Sequence, residues 1–482
     1  MSTYSKPDLN PQHSNLPTII YILVAIALYG FGLFSMIDFF MQPETADILD
    51  ELAVALGIAG LIAPFIFIFL AIYLLFSIVL AFILIKLMAK IAMELTIAVS
   101  IIFPILLIAA GGAIIAFVED GIFLGGIFCV IGVLLLLLVL WKFRSLKRAG
   151  QFVEFSAQLV LDEKAILGMP FFNGIFTTIS GFFIMAGMWE INHLFVTTTT
   201  QAGQTTSELS PVGTIVAIIF AYFYMIVYLG VSYILNAFVI SYASDWYRKL
   251  DPDLNSAKKD VRDVLPIIIE FAIAMATVRL IVQILTAPAR SGGRGTKIDS
   301  KNIGSAIFGM IFASLGFIII RIIGAVWEFI NYFTLISIVQ NKTGLRDSVK
   351  DSARTTWESM LDVIIGETGY GLTMFIFMIV NVFIWLLTGF GVGFVIADAA
   401  GWDGIFVGFV FGIIFIILSF TPYSFVTSPM KIAFKTFMYS YAKDLRDGFK
   451  KPSRLPADLR DEFKGLADQS KKRRMRDPTR LF

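Results

Sequence analysis

Ten stretches of this chain stay apolar for about 20 residues or more, the length at which an α-helix crosses the hydrocarbon core of a bilayer. They fall near 17–37, 55–85, 95–117, 122–141, 170–196, 212–243, 264–287, 303–339, 369–396 and 405–426. In lipid every backbone N–H and C=O must be satisfied internally, so stretches of this kind become helices. Composition agrees. Only 15% of the 482 residues are charged and 57% are hydrophobic, whereas soluble chains carry roughly 25% charge. Too few charges remain to cover a globular surface. The sequence predicts an all-α fold, a polytopic transmembrane helical bundle of about ten spans. The second stretch carries Pro64 and the eighth holds 37 residues, so bends or interfacial extensions are expected there. The first is read as a span rather than a cleaved signal, because it is too long and a single basic residue precedes it.

The residue inventory excludes several chemistries. Cys129 is the sole cysteine, which rules out an intrachain disulfide or a thiolate zinc site. The two histidines, His13 and His193, lie far apart in sequence. No GxxxxGK[ST] occurs, and no HExxH lies in a span. No catalytic residue, cofactor or metal is expected, and the chain does not read as an enzyme.

Charge sets the sidedness. With the N-terminus cytoplasmic and ten alternating spans, 32 of the 38 basic residues fall on the cytoplasmic side. Acidic residues such as Glu44, Asp47, Glu119, Asp120, Asp398 and Asp403 mark the outer turns. The expected localisation is the cell membrane, with both termini cytoplasmic. Three regions follow: a four-span part at 1–150, a six-span core at 151–426, and a basic tail at 427–482. The tail ends in Lys471, Lys472, Arg473, Arg474 and Arg476. These can attract anionic lipid headgroups at about 1 kcal/mol per charge, or simply obey the positive-inside bias as solvated residues. Nucleic acid is not an expected partner, since no folded module accompanies the charges. Membrane lipids are; other membrane proteins or a second copy of the chain stay open.

Within 341–364, Leu345, Val349, Ala353, Trp357, Leu361 and Ile364 repeat at helical spacing opposite a charged side. This predicts an amphipathic helix in the cytoplasmic interface with Trp357 at headgroup level. A weaker version covers 151–167. Both carry a Ser-Ala pair, Ser156-Ala157 and Ser352-Ala353, ahead of two spans, which raises a parallel internal repeat.

Ionisable residues in hydrocarbon need a partner or a task. The candidates are Glu270 and Arg279 in the seventh span and Arg321 and Glu328 in the eighth. Counted from the connecting loop, Glu270 and Arg321 reach the same depth and are expected to pair, as packing glue or as a proton or substrate site. Arg279 sits nearer the outer surface without an evident partner. Asn236, Gln283, Asn331 and Asn381 also lie in spans and are expected to face the bundle interior. Glu190 and His193 read as water-exposed helix-end residues or a pH-sensitive pair. Gly389, Gly393, Gly404, Gly408 and Gly412 repeat every four residues and predict a close helix pair. Phe220, Tyr222, Phe223, Tyr224 and Tyr228 read as lipid-facing aromatics or as a box for a quaternary ammonium.

From about 150 to 395 a series of short elements runs in order. It starts with Lys147-Arg148, Met169-Pro170 and Trp189, continues through Asn236-Ala237 and Ser241-Tyr242-Ala243-Ser244-Asp245-Trp246-Tyr247, and ends with Trp327-Glu328, Asn331-Tyr332 and Asp351-Ser352-Ala353. This order resembles a prokaryotic multi-pass family of unknown function and, more distantly, is similar to the choline transporter-like proteins. The resemblance implies a transporter-like architecture. No large outer domain follows the first span, a departure from the choline transporter-like pattern. Two classes of function stay open: a transporter or channel for a small solute, lined by spans five to nine, and a non-transporting scaffold, assembly or lipid-interacting subunit. No broken helix is evident in the sequence.

Overall fold

The computed structural model describes residues 14–118, 121–141, 143–201, 204–291, 320, 322–401, 403–447 and 453–454. Among these, nine helices are long and apolar enough to cross a membrane. The chain is a polytopic helical membrane protein. Its described residues fall into two compact units, each assembled from separated segments: one from Met1–Ala63, Phe172–Ser241 and Asp253–Thr356, the other from Pro64–Phe171, Tyr242–Pro252 and Trp357–Phe482.

In the first unit α1 (Leu16–Met41) runs beside α5 (Gly168–Phe195), α6 (Pro211–Tyr247, to Ser241 in this unit) and α7 (Leu254–Ser291). Tyr21 Oη–H donates to Val227 O at 2.8 Å, and Tyr29 shares a 2.6 Å hydrogen bond with Ser180. Between α5 and α6 the chain departs from all-α. A hairpin pairs β1 (Val196–Gln201) with β2 (Gln204–Leu209), Thr199 opposite Thr206. Six of the residues are consecutive threonines, four on β1 and two on β2, whose branched Cβ fits a pleated ribbon better than a helix. The unit is completed by α8 (322–330), α9 (Thr334–Asn341) and α10 (Leu345–Glu358).

The second unit holds most of α2 (Pro43–Phe117), α3 (Ile122–Trp141), α4 (Phe143–Asp162), α11 (Met360–Ala400) and α12 (Gly404–Asp447). Where two spans were expected at 55–85 and 95–117, α2 is one helix of 75 residues. Lys86 and Lys90 open no loop, because the stretch between the two spans contains neither glycine nor proline and consists of helix formers. The expected junction survives as a contact: the Met93 N–H donates to Glu154 Oε1 of α4 at 3.0 Å. Gly150 of α4 makes that approach feasible, since a Cβ there would stand 2.6 Å from Met93 Cα. Burial pushes the Glu154 carboxyl up, the Met93 N–H only partly offsets this, and Glu94 adds to the rise.

The glycine pattern does form a close helix pair. A Cβ on Gly393 would meet Val407 O at 2.7 Å and Gly408 Cα at 2.9 Å, and one on Gly389 would meet Phe411 O at 2.7 Å. The last span was expected to end near 426, but α12 continues to Asp447. Met430, Ala433, Phe434, Phe437 and Tyr439 are fully buried there, so the first part of the expected tail is core. Lys471, Lys472, Arg473, Arg474 and Arg476 lie outside the described residues.

Candidate functional site

The eighth span is interrupted. Helix α8 stops at residue 330 and α9 starts at Thr334, with Asn331, Tyr332 and Phe333 in turn conformation between them. A break inside a membrane protein frees backbone groups that lipid cannot satisfy. Here side chains answer them. Ser352 of α10 donates to Ile330 O at 2.7 Å and accepts from the Phe333 N–H at 3.0 Å. Asn331 Nδ2 donates to Trp327 O at 3.0 Å, while Asn331 Oδ1 accepts from the Thr334 hydroxyl at 3.0 Å. Asn331, Thr334 and Ser352 are all buried. The break is thus built into the fold by a serine from another helix.

Helix α10 reaches this position with a face the sequence did not indicate. Ser348, Ser352, Thr355 and Thr356 are its buried residues. The expected stripe of Leu345, Val349 and Ala353 is half-buried, Trp357 is 74% exposed, and the helix ends at Glu358 instead of near 364. Ser352 fits because it meets the freed backbone of the break, whereas Ser348 bonds to Thr343.

Below the break a charged cluster ties α9 to α7. Lys342 caps α9 in the left-handed region, at φ 52°. Its ammonium donates to Asp263 Oδ2 at 2.6 Å and stands 3.2 Å from Asp260 Oδ1. Asp260 is 6% exposed and also accepts from the Ser241 hydroxyl at 2.9 Å. Burial opposes the Lys342 charge, but the two aspartates outweigh it and raise its pKa above the ordinary lysine value. Asp351 accepts from Ser337 at 3.0 Å and Asn341 at 3.2 Å.

Above the break lie aromatic rings and charges. Tyr233 of α6 stacks on Phe271 of α7 with centroids 5.0 Å apart. The Trp327 indole N–H points at Met275 Sδ at 3.2 Å. Arg279 and Glu328 both act electrostatically on Tyr233, which gathers one residue from each of α6, α7 and α8. Arg279 and Glu328 are exposed, as is Glu270.

Of the other expected site residues, Arg321 lies outside the described residues, so its pairing with Glu270 does too. Asn236 is half-buried. Gln283 is exposed, not turned inward, because it lies beside Ile281, Ile284 and Leu285, which are also exposed. Asn381 is buried in the second unit and donates to Ser419 O at 3.2 Å. Glu190 is 4% exposed, which removes the water-exposed reading for that residue, while His193 is exposed. In the aromatic group Phe220 is buried against Phe31, and Tyr222 shares a 2.9 Å hydrogen bond with Thr277.

Sequence reasoning also missed one signal available to it. Ser241-Tyr242-Ala243-Ser244-Asp245 closes α6, and Ser440-Tyr441-Ala442-Lys443-Asp444 closes α12. The second of these aspartates accepts from Tyr247 at 3.0 Å and from Arg248 at 2.6 Å. Each motif closes the second long helix after a Ser-Ala pair, α6 after the pair on α4 and α12 after the pair on α10.

No curated protein matches this chain. A family model described as plasma-membrane choline transporter matches residues 126–446, about two thirds of the chain. The match takes in α3 to α12, including the interrupted helix and the serine that holds it open: the chain belongs to the plasma-membrane choline transporter family.

Proposed function

We propose that this protein carries a small organic cation of the choline class across the membrane. The site is the group of Tyr233, Phe271, Trp327 and Glu328 above the break in the eighth span. The observation that carries this reading is the interruption at residues 331–333, stabilised by Ser352 and Asn331. Discontinuous helices form the substrate sites of many transporters, since a break supplies polar groups and a hinge at membrane depth. A cation leaving water needs both charge compensation and a polarisable surface. Glu328 supplies the first. The ring faces supply the second, at about 2 kcal/mol or more for a desolvated cation–π contact. Arg279 balances Glu328 in the absence of substrate, and an entering cation takes its place. In this reading α10 lies in the cytoplasmic interface with Trp357 among headgroups, and the basic tail meets anionic lipid.

Equilibrium binding of labelled choline to purified protein in detergent tests the site. Glu328→Gln is expected to abolish measurable binding, and Arg279→Gln to tighten it a few-fold by removing the competing cation. Unchanged affinity in Glu328→Gln places the site elsewhere, and absence of saturable binding in the wild type contradicts the substrate class.

A further inference from the structure

Helix α9 has eight residues, and its neighbours hold it by two kinds of bond. Toward α10 the bonds are short-range and interlocked. Ser352 of α10 binds the turn at 331–333 through Ile330 O and the Phe333 N–H. Asp351 of α10 accepts from Ser337 and Asn341 along α9. Thr343 and Ser348 span the connection between the two helices with a 2.9 Å hydrogen bond. Together these join α9 and α10 into one body. Toward α7 the polar contact is ionic, with Lys342 Nζ 2.6 Å from Asp263 Oδ2 and 3.2 Å from Asp260 Oδ1.

The residue at 342 shows that this contact is selected. The Lys342 N–H caps α9 on Ile338 O at 2.9 Å, and the residue sits in the left-handed region at φ 52°. A β-carbon there crowds the following carbonyl, so glycine or asparagine is the usual occupant. Gly344 stands two residues later without a positive φ. A strained lysine persists where its surroundings hold it, and here two carboxylates do. On the opposite side of the contact Pro266 follows Asp263 by three residues and removes one backbone hydrogen bond from α7. The ion cluster therefore lies between two interrupted stretches of helix, the turn at 331–333 and the proline of α7. Helix α9 also packs along α7, and its buried Ile336, Ile338 and Val339 are apolar. Such packing is non-directional and allows small sliding, whereas the ion cluster fixes one position.

We propose that α9 and α10 move as one body about the turn at 331–333, and that Lys342 on Asp260 and Asp263 is the latch that holds this body against α7. Release of the latch lets α9 slide along α7 and opens the break to water from the side on which Lys342 lies. The gate rests on reading the break as part of the substrate path, and it regulates access to the Tyr233 and Glu328 group.

Thiol labelling of the full-length protein in nanodiscs tests the latch without any substrate. Cys129→Ser removes the native thiol, and Ile338→Cys places a reporter on a fully buried position of α9. A water-soluble maleimide is expected to react slowly with this protein. Adding Lys342→Met should speed the reaction by about tenfold to a hundredfold, the range of a lost charge-assisted hydrogen bond. Lys342→Arg keeps the charge and should stay within a few-fold of the parent rate. Asp263→Asn serves as the second unlatched variant should Lys342→Met not fold. Val227→Cys is the control, a buried position of α6 whose carbonyl accepts from Tyr21 of α1, and its rate should not change. Unchanged labelling at 338 in both unlatched variants would overturn the proposal. So would equal acceleration at 338 and 227, which marks loosening of the whole unit, or acceleration by Lys342→Arg as large as by Lys342→Met. Because choline takes no part, failure of the latch and failure of the substrate reading are separate results.

Discussion

Ser352 does at residue scale what no apolar side chain can. It satisfies one acceptor and one donor at the same time, Ile330 O and the Phe333 N–H, in a part of the molecule without competing water. Leaving a buried polar group unpaired costs about 1–3 kcal/mol. Ser352→Ala strands two, so a loss of about 2–4 kcal/mol and a fall of several degrees in unfolding temperature are expected. An unchanged temperature would mean the freed groups find other partners. Lys342 gives a pH-dependent counterpart. Its folded-state pKa is raised by Asp263 and Asp260, so its stabilising contribution is complete below the ordinary lysine value near 10.5 and disappears as pH rises through the higher folded value. The stability gap between wild type and Lys342→Met should therefore be constant at neutral pH and shrink above 10.5. A gap that closes on acidification instead would assign the cluster's stability to its carboxylates.

The elements divide by what pattern can and cannot report. Apolar length was legible: nearly every expected span lies on an apolar helix. Small-residue spacing was legible too, because Gly389 and Gly393 repeat at the period of the contact they make. This supplies a paired test on α11. Gly393→Ala drives a Cβ to 2.7 Å from Val407 O and should destabilise by about 1–3 kcal/mol. Gly391→Ala, two residues away with nothing within 4 Å, should be neutral or stabilising by up to about 1 kcal/mol. Equal effects on unfolding temperature would refute the close pair. The interruption at 331–333 was not legible. It contains no proline or glycine, and its cause is a serine 20 residues downstream on a helix whose apolar spacing pointed the other way. Continuity of α2 through Lys86 and Lys90 escaped for the converse reason, since charge suggests a boundary while local propensity favours continuing the helix. Of the candidate site, Glu328 and Asn331 were named from the sequence alone; Tyr233 and Phe271 were not, and Ser352 stood only as half of a Ser-Ala pair, because a ring or hydroxyl is ordinary until its neighbour is known.

At the scale of the whole molecule the account joins a family assignment to a local geometry. The family match spans α3 to α12, and inside it the break in the eighth span sits between an aromatic and acidic group on one side and the Lys342 cluster on the other. A transporter must pass its substrate through such a point. A scaffold has no use for a carboxylate in an apolar span that acts on a tyrosine of a neighbouring span. Uptake of radiolabelled choline into proteoliposomes holding the purified chain separates the two most directly. The account predicts saturable uptake above protein-free vesicles, lost in Glu328→Gln while that variant keeps its unfolding temperature. Uptake no greater than in protein-free vesicles, from wild-type protein that is folded and inserted, would contradict it.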